Sequence, residues 1–179
     1  GSVLTGYLHE AGLGPIVVVD DFTAPAKAGN LSSKGNLTMI ERMTFPDWLR
    51  QNAEQVDVVF HLGARTDTAE FDVDLLNRLN LDYSKTLWSI ATDYDIPFLY
   101  ASSAATYGDG TQGFQDDYKT TRSLEPLNPY GRSKQDFDLW VLKQREQPAQ
   151  WAGFKFFNVY GPNEYHKNRM ASVVLHAFR

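Results

Sequence analysis

VDVVFHLGA, residues 56–64, is an apolar run that stops at glycine. That is the pattern of a strand buried on both faces, the kind a parallel sheet contains. Working outward, FPDWLRQNAEQ (45–55) reads as a helix, residues 37–40 as a short strand, and IVVVD (16–20) as a second buried strand. Before it, GSVLTGYLHEAGLG reads as a helix already under way and stopped at Gly12 or Gly14. Downstream, a helical stretch covers roughly Asp72 to Tyr94, with Leu75, Leu76, Leu79, Leu87, Ile90 and Ala91 as its apolar positions. PFLYASSAATYG (97–108) is another buried strand that runs out into small hydroxyl residues. A helix after Tyr130 carries Phe137, Trp140 and Val141, GFKFFNVYG (153–161) is a last strand, and MASVVLHAFR is helical. The alternation predicts an α/β doubly wound parallel sheet with helices on both faces and ligands at the carboxyl ends of the strands. Two polar stretches read as loops: FTAPAKAGNLSSKGN (22–36), and Asp109 to Leu127, a length compact domains keep for functional or mobile segments.

Composition narrows the function. The chain has 179 residues, 42% of them hydrophobic, enough for a sizeable core. A net charge of -5 argues against a protein that tracks nucleic-acid phosphates. Four histidines without a cysteine exclude a thiolate zinc site, a disulfide framework and a cysteine nucleophile, and no metal is expected. No apolar run spans a bilayer and no basic-then-apolar leader opens the sequence, so the default is a soluble, cytoplasmic protein with no membrane partner.

The strand ends hold the candidate chemistry. Asp20 and Asp21 close IVVVDD; an acid there accepts from the ribose hydroxyls of a dinucleotide, or simply starts a turn. Lys27 and Arg42 follow, as partners of a ribose 2'-phosphate or as solvated charges. In the next strand His61 reads as a satisfied interior histidine. Beyond it Leu62, Gly63 and Ala64 offer a close backbone approach to a cofactor, and Asn80 lies on the following helix, as a surface residue or a support beneath the site. Ser102, Ser103 and Thr106 end the strand at 97–108; their hydroxyls either meet a substrate oxygen or cap the chain's own turn. Tyr130 and Lys134 sit one helical turn apart, an arrangement in which the ammonium is expected to lower the phenol's pKa. Together with a serine hydroxyl this is an alcohol-oxidising site, the proton going to tyrosine and a hydride to a nicotinamide.

ASSAATYG (101–108), NPYGRSK (128–134) and FFNVYGP (156–162), in this order, resemble the extended short-chain dehydrogenase/reductase family, the sugar-nucleotide epimerases and dehydratases. The resemblance implies a Rossmann domain with bound NADP (NAD being possible), a smaller carboxy-terminal substrate domain, a nucleotide-sugar substrate and a homo-oligomer. It makes Tyr130 and Lys134 the YxxxK pair, Ser103 the active-site hydroxyl, Asn158 a substrate contact and Val159 a neighbour of the nicotinamide. NEYHKNRMASVVLHAF (163–178) is similar, more narrowly, to the members that act on ADP-heptose. That likeness makes Lys167 a second acid/base and His176 and Arg169 substrate contacts, although a small residue is commoner at 169. Asp21 stands where an asparagine often follows the first acid, and its extra carboxylate would weaken a preference for NADP. Residues 1–161 are expected to be the NAD(P)-binding domain and 162–179 the start of a substrate-binding region, in a chain lacking the first strand and the rest of that region. The reaction implied is inversion of one sugar carbon by transient oxidation and hydride return. Ala104, Ala105 and Thr106 stand where dehydratases carry an Asp-Glu pair, which counts against elimination. A 4-epimerase of UDP-hexoses and a non-catalytic NAD(P)-binding regulator are the alternatives.

Overall fold

A computed structural model of the chain describes residues 1–32 and 34–178. Ser33, within the first polar stretch, and Arg179, at the end of the terminal helical pattern, lie outside the described residues. The strands are β1 (Ile16–Asp20), β2 (Leu37–Glu41), β3 (Val59–His61), β4 (Phe98–Ser103) and β5 (Trp151–Phe156). The helices are α1 (Ser2–Glu10), α2 (Phe45–Asn52), α3 (Val73–Leu76), α4 (Tyr83–Asp93), α5 (Tyr118–Ser123), α6 (Pro129–Val141) and α7 (Val173–Ala177). Every strand pair is parallel, as an α/β fold with helical crossovers requires. The chain forms two compact units, Gly1–Trp48 with Asn158–Arg179, and Leu49–Phe157.

In the first unit β1 and β2 run in register from Ile16 opposite Leu37 to Asp20 opposite Glu41. The polar stretch after β1 folds back through a 3-10 turn over Pro25–Asn30. In the second unit the order is β3-β4-β5. Strands that advance one way across a sheet by right-handed crossovers lay their helices on one face. The rings bear this out. Trp88 of α4 meets Phe98, Tyr100 and Trp151 of the sheet and Phe137 and Trp140 of α6, with centroids 5.3 to 6.4 Å apart. Each such pair contributes about 0.5–1.5 kcal/mol beyond the area it buries. The opposite face, with Phe60 37%, Phe154 42% and Phe156 43% exposed, is the less covered one, so β3 is not buried on both faces as its composition suggested.

Three further expectations are corrected. The last strand begins at Trp151, not Gly153, and ends at Phe156 opposite Ser103, because β4 supplies its hydrogen-bonding edge only over that span. The long polar loop contains α5, which is nucleated by Asp117 accepting from the amide of Thr120 at 2.7 Å. The long helix read over 72–94 is interrupted by a π turn at Asn77–Asp82, where Asn80 is buried. No helix among the described residues is long and apolar enough to cross a membrane.

Candidate active site

The end of β4 and the first turns of α6 converge. Proline at N1 and the Asn128 side chain, which accepts from the amide of Gly131 at 2.7 Å, start α6 at a defined residue. Four-residue spacing then places Tyr130 and Lys134 on the face turned to β4, and both are buried. Gly131 is needed there: a Cβ on it would lie 2.8 Å from the carbonyl oxygen of Ala105 and 3.0 Å from Pro126. The Tyr130 phenol shares a hydrogen bond with the Ser103 hydroxyl. Lys134 Nζ donates to the carbonyl of Ala101 at 2.8 Å.

The electrostatics differ from the expectation in one respect. Burial pushes the Tyr130 phenol above its ordinary value, and the Ser103 hydrogen bond only partly opposes it. The expected lowering by Lys134 is absent: its ammonium is directed at the Ala101 carbonyl, and burial and Ser103 govern the phenol. Burial brings Lys134 itself down to about 8, with the Asp138 carboxylate acting in the other direction. A neutral phenol beside a lysine that titrates near neutrality is a proton donor and acceptor pair within one helical turn.

Beneath this pair lies a hydrogen-bonded clamp. Asn80 Oδ1 accepts from the amide of Arg65 at 2.8 Å, while its Nδ2 donates to the Arg65 carbonyl at 3.0 Å and to Ser133 Oγ at 3.0 Å. Ser133 Oγ donates in turn to the Tyr130 carbonyl at 2.7 Å. Asn80 is thus an interior residue that ties the segment after β3 to the first turn of α6. In that segment Leu62 and Ala64 are half-buried and Gly63 is exposed, with open space where a Cβ would stand. Ser84 Oγ donates to the Asn80 carbonyl at 2.5 Å, so at the 2.8 Å contact His61 Nε2 is the donor. Burial first, and the Lys134 charge second, hold His61 down to about 3, a neutral interior histidine as expected.

In the other unit, the acids and cations read as competitors are partners. Lys27 Nζ donates to Asp20 Oδ1 at 2.9 Å and Arg42 to Asp21 Oδ2 at 3.2 Å. Asp21 also accepts from the amide and hydroxyl of Thr23, and these bonds, more than the nearby cations, hold its carboxyl below the ordinary range. Among the described residues both hydrogen bonds to the Asp20 side chain land on Oδ1. Asn158 and Val159, just past β5, are exposed, as are Lys167, Arg169 and His176. Lys167 and Arg169 lie in a 3-10 stretch, Tyr165–Met170. Glu164 anchors that stretch by accepting from the amide and hydroxyl of Ser172, both at 2.7 Å.

Sequence reasoning missed Ser133, Arg65, Asp138 and Lys155. Asp138 follows Lys134 by the same four residues that separate Lys134 from Tyr130, which was a signal. Ser102 and Thr106, read as possible substrate hydroxyls, are instead bonded internally, Ser102 to Asp138 at 2.6 Å and Thr106 to the Ser103 carbonyl at 2.7 Å.

The NAD dependent epimerase/dehydratase family matches residues 1–179. The ADP-L-glycero-D-manno-heptose-6-epimerase of Fusobacterium nucleatum is 43% identical over 182 residues, covering 99% of this chain and 55% of that protein. The chain thus spans about half the length of the curated relatives it matches. Among solved structures, the Helicobacter pylori ADP-L-glycero-D-manno-heptose-6-epimerase superposes with a TM-score of 0.80 at 28% identity, covering 97% of this chain and 57% of that one. MoeE5 in complex with UDP-glucuronic acid and NAD superposes with a TM-score of 0.70 at 25% identity, covering 91% and 52%. The chain belongs to the NAD dependent epimerase/dehydratase family.

Proposed function

We propose that the protein is an isomerase that inverts C6 of the heptose in ADP-D-glycero-D-manno-heptose, giving the L-glycero epimer. The reaction runs by transient oxidation and hydride return with a bound nicotinamide cofactor, NADP in the first instance and NAD as the alternative. The observation that carries it is the buried Ser103, Tyr130 and Lys134 constellation in a chain 43% identical to an ADP-heptose 6-epimerase. Within each unit the residues have the chemistry that a dinucleotide needs. Asp20 Oδ2 is an acceptor for a ribose hydroxyl, Leu62, Gly63 and Ala64 leave room above Gly63, and Lys134 presents a donor one turn from Tyr130. Lys27 and Arg42 are the cations for a 2'-phosphate, and their pairing with Asp20 and Asp21 is why NAD stays an alternative. Val159 is assigned to the nicotinamide side, and Asn158, Arg169 and His176 to the sugar nucleotide.

When bound, the cofactor supplies a hydride acceptor and, later, its donor. The protein's part is proton movement and orientation. Because the phenol is neutral, its own proton passes to the neutral form of Lys134 one turn away as its oxygen takes the proton of the C6 hydroxyl; the reverse transfers return one to the sugar, and Ser103 hydrogen-bonds that oxygen. Lys167 serves the opposite face of the sugar, where a returning hydride needs its own proton donor. A homo-oligomeric, cytoplasmic enzyme supplying lipopolysaccharide assembly goes with this substrate.

The test is proton NMR of the sugar when full-length protein is incubated with ADP-D-glycero-D-manno-heptose and NADP. The L-glycero epimer should appear without net reduced cofactor. Turnover of UDP- or dTDP-hexoses with no conversion of the heptose refutes the substrate. Wild-type epimerisation by either Tyr130→Phe or Lys167→Ala refutes the two-base scheme.

A further inference from the structure

Two charged residues behind the Ser103 hydroxyl are not among the reacting groups, although the Asp138 charge acts on Lys134. Lys155 of β5 lies opposite Ser102 of β4 in the parallel register, and Asp138 is two turns along α6 from Tyr130. Lys155 Nζ donates to Asp138 Oδ2 at 2.5 Å; Asp138 is buried and Lys155 half-buried, with side chains 6% and 16% exposed. The pair grips β4 on both sides of Ser103. On one side Ser102 Oγ donates to the same Asp138 oxygen at 2.6 Å. On the other, Lys155 Nζ donates to Thr106 Oγ1 at 2.9 Å, and Thr106, with no exposed surface, passes its own proton to the Ser103 carbonyl at 2.7 Å.

We infer that the Asp138–Lys155 pair is a positioning device: through Ser102 and Thr106 it fixes the backbone of Ser103 so that the Ser103 hydroxyl stays on the Tyr130 phenol. The alternative is that the pair only stabilises the fold. Buried ion pairs are poor stabilisers, since well-packed apolar replacements are often neutral or better. A pair that three elements converge on, directly behind a reactive hydroxyl, is placed for geometry, and reactive geometry tolerates little error. Ser103 Oγ has one further local restraint, the amide of Ala105 at 3.1 Å, which sets its rotamer but not the position of the strand end.

The inference rests on the epimerase reading, and two disruptive variants of the full-length protein and one conservative one test it separately. Thr106→Val removes one hydroxyl at nearly constant volume and cuts the link between Lys155 and Ser103 while leaving the charge pair intact. It should lower kcat about tenfold or more, with KM for the sugar nucleotide and cofactor affinity within about twofold of wild type. Lys155→Met combined with Asp138→Leu should show the same kcat loss without a lower melting temperature. Lys155→Arg, which keeps a donor to both partners, should restore most of the rate. If wild type converts the heptose and both altered proteins keep kcat within twofold, the pair does not position Ser103. If the rate falls only in step with cofactor affinity and melting temperature, the pair is structural and the inference is overturned. A wild-type protein that fails to turn over the heptose refutes the functional reading instead.

Discussion

Lys134→Met separates the electrostatic cost of the site from its packing. The ammonium is 5% exposed and its pKa falls from 10.5 to about 8, first because burial strips its water and despite the opposing Asp138 charge. A shift of that size corresponds to about 3 kcal/mol of native-state destabilisation while lysine is charged in both states. The sign follows from proton counts. Between pH 8 and 10.5 the unfolded chain binds more protons than the native one, so stability rises with pH across that window and the cost is complete below it. Methionine keeps the apolar stem and removes the titration, but leaves the Ala101 carbonyl without its donor. That loss, about 1–3 kcal/mol, does not depend on pH. The difference in unfolding free energy between wild type and variant should therefore move by roughly 2.5 kcal/mol in favour of wild type from pH 7 to pH 10. Urea unfolding of the two cofactor-stripped full-length proteins at both pH values measures it. Other titrating groups are common to both, and His61, which the Lys134 charge also depresses, is neutral in the native protein across this window. A difference constant to within about 0.5 kcal/mol would show that Lys134 is not a buried cation in competition with the fold.

Three further outcomes are expected. Gly131→Ala puts a methyl against the Ala105 carbonyl at 2.8 Å and should cost roughly 1–3 kcal/mol while displacing Tyr130, so thermal melting and kcat should both fall; an unchanged pair of values refutes the close approach. His61, depressed from 6.5 to about 3 by burial, makes the native state bind fewer protons than the unfolded chain, so stability should drop by roughly 2 kcal/mol from pH 7 to pH 5. His61→Gln should lack that step in the same unfolding series. Asp21→Asn releases Arg42 from its 3.2 Å ion pair and should raise the ratio of NADP to NAD affinity about two- to fivefold in titrations of the full-length protein, an unchanged ratio removing Arg42 from the cofactor site.

The parallel strands and the meeting of Ser103 with Tyr130 were legible because each depends on local patterns: apolar runs, hydroxyls at a strand end, and proline before a helix. What was hidden depends on pairing. The end of β5 is set by where β4 stops offering hydrogen bonds, which no property of GFKFFNVYG reveals. Lys27 and Arg42 lie seven and twenty-one residues from the acids they neutralise, and only the register of β1 on β2 and the turn between them unites them. The phenol of Tyr130 shows the same limit in energetic form. Spacing told which charge lies one turn away, whereas burial, a property of the packed fold, decided the direction of its pKa.

The way the site is held explains why so many of its supports escaped a search for reactive residues. Asn80, Ser133 and Thr106 bond to backbone, at Arg65, Tyr130 and Ser103, so they locate chain segments and do not compete for the groups that react. Leaving any of these three unpaired in a low-dielectric interior would cost about 1–3 kcal/mol. The apolar cluster centred on Trp88 joins α4, α6 and the sheet on the same face, and apolar burial of this kind is what offsets such costs. Shaving the cluster is therefore a change at the active site as well as in the core: α6 carries Phe137 into the rings and Tyr130 and Lys134 into the site on one rigid helix, and neither can shift without the other.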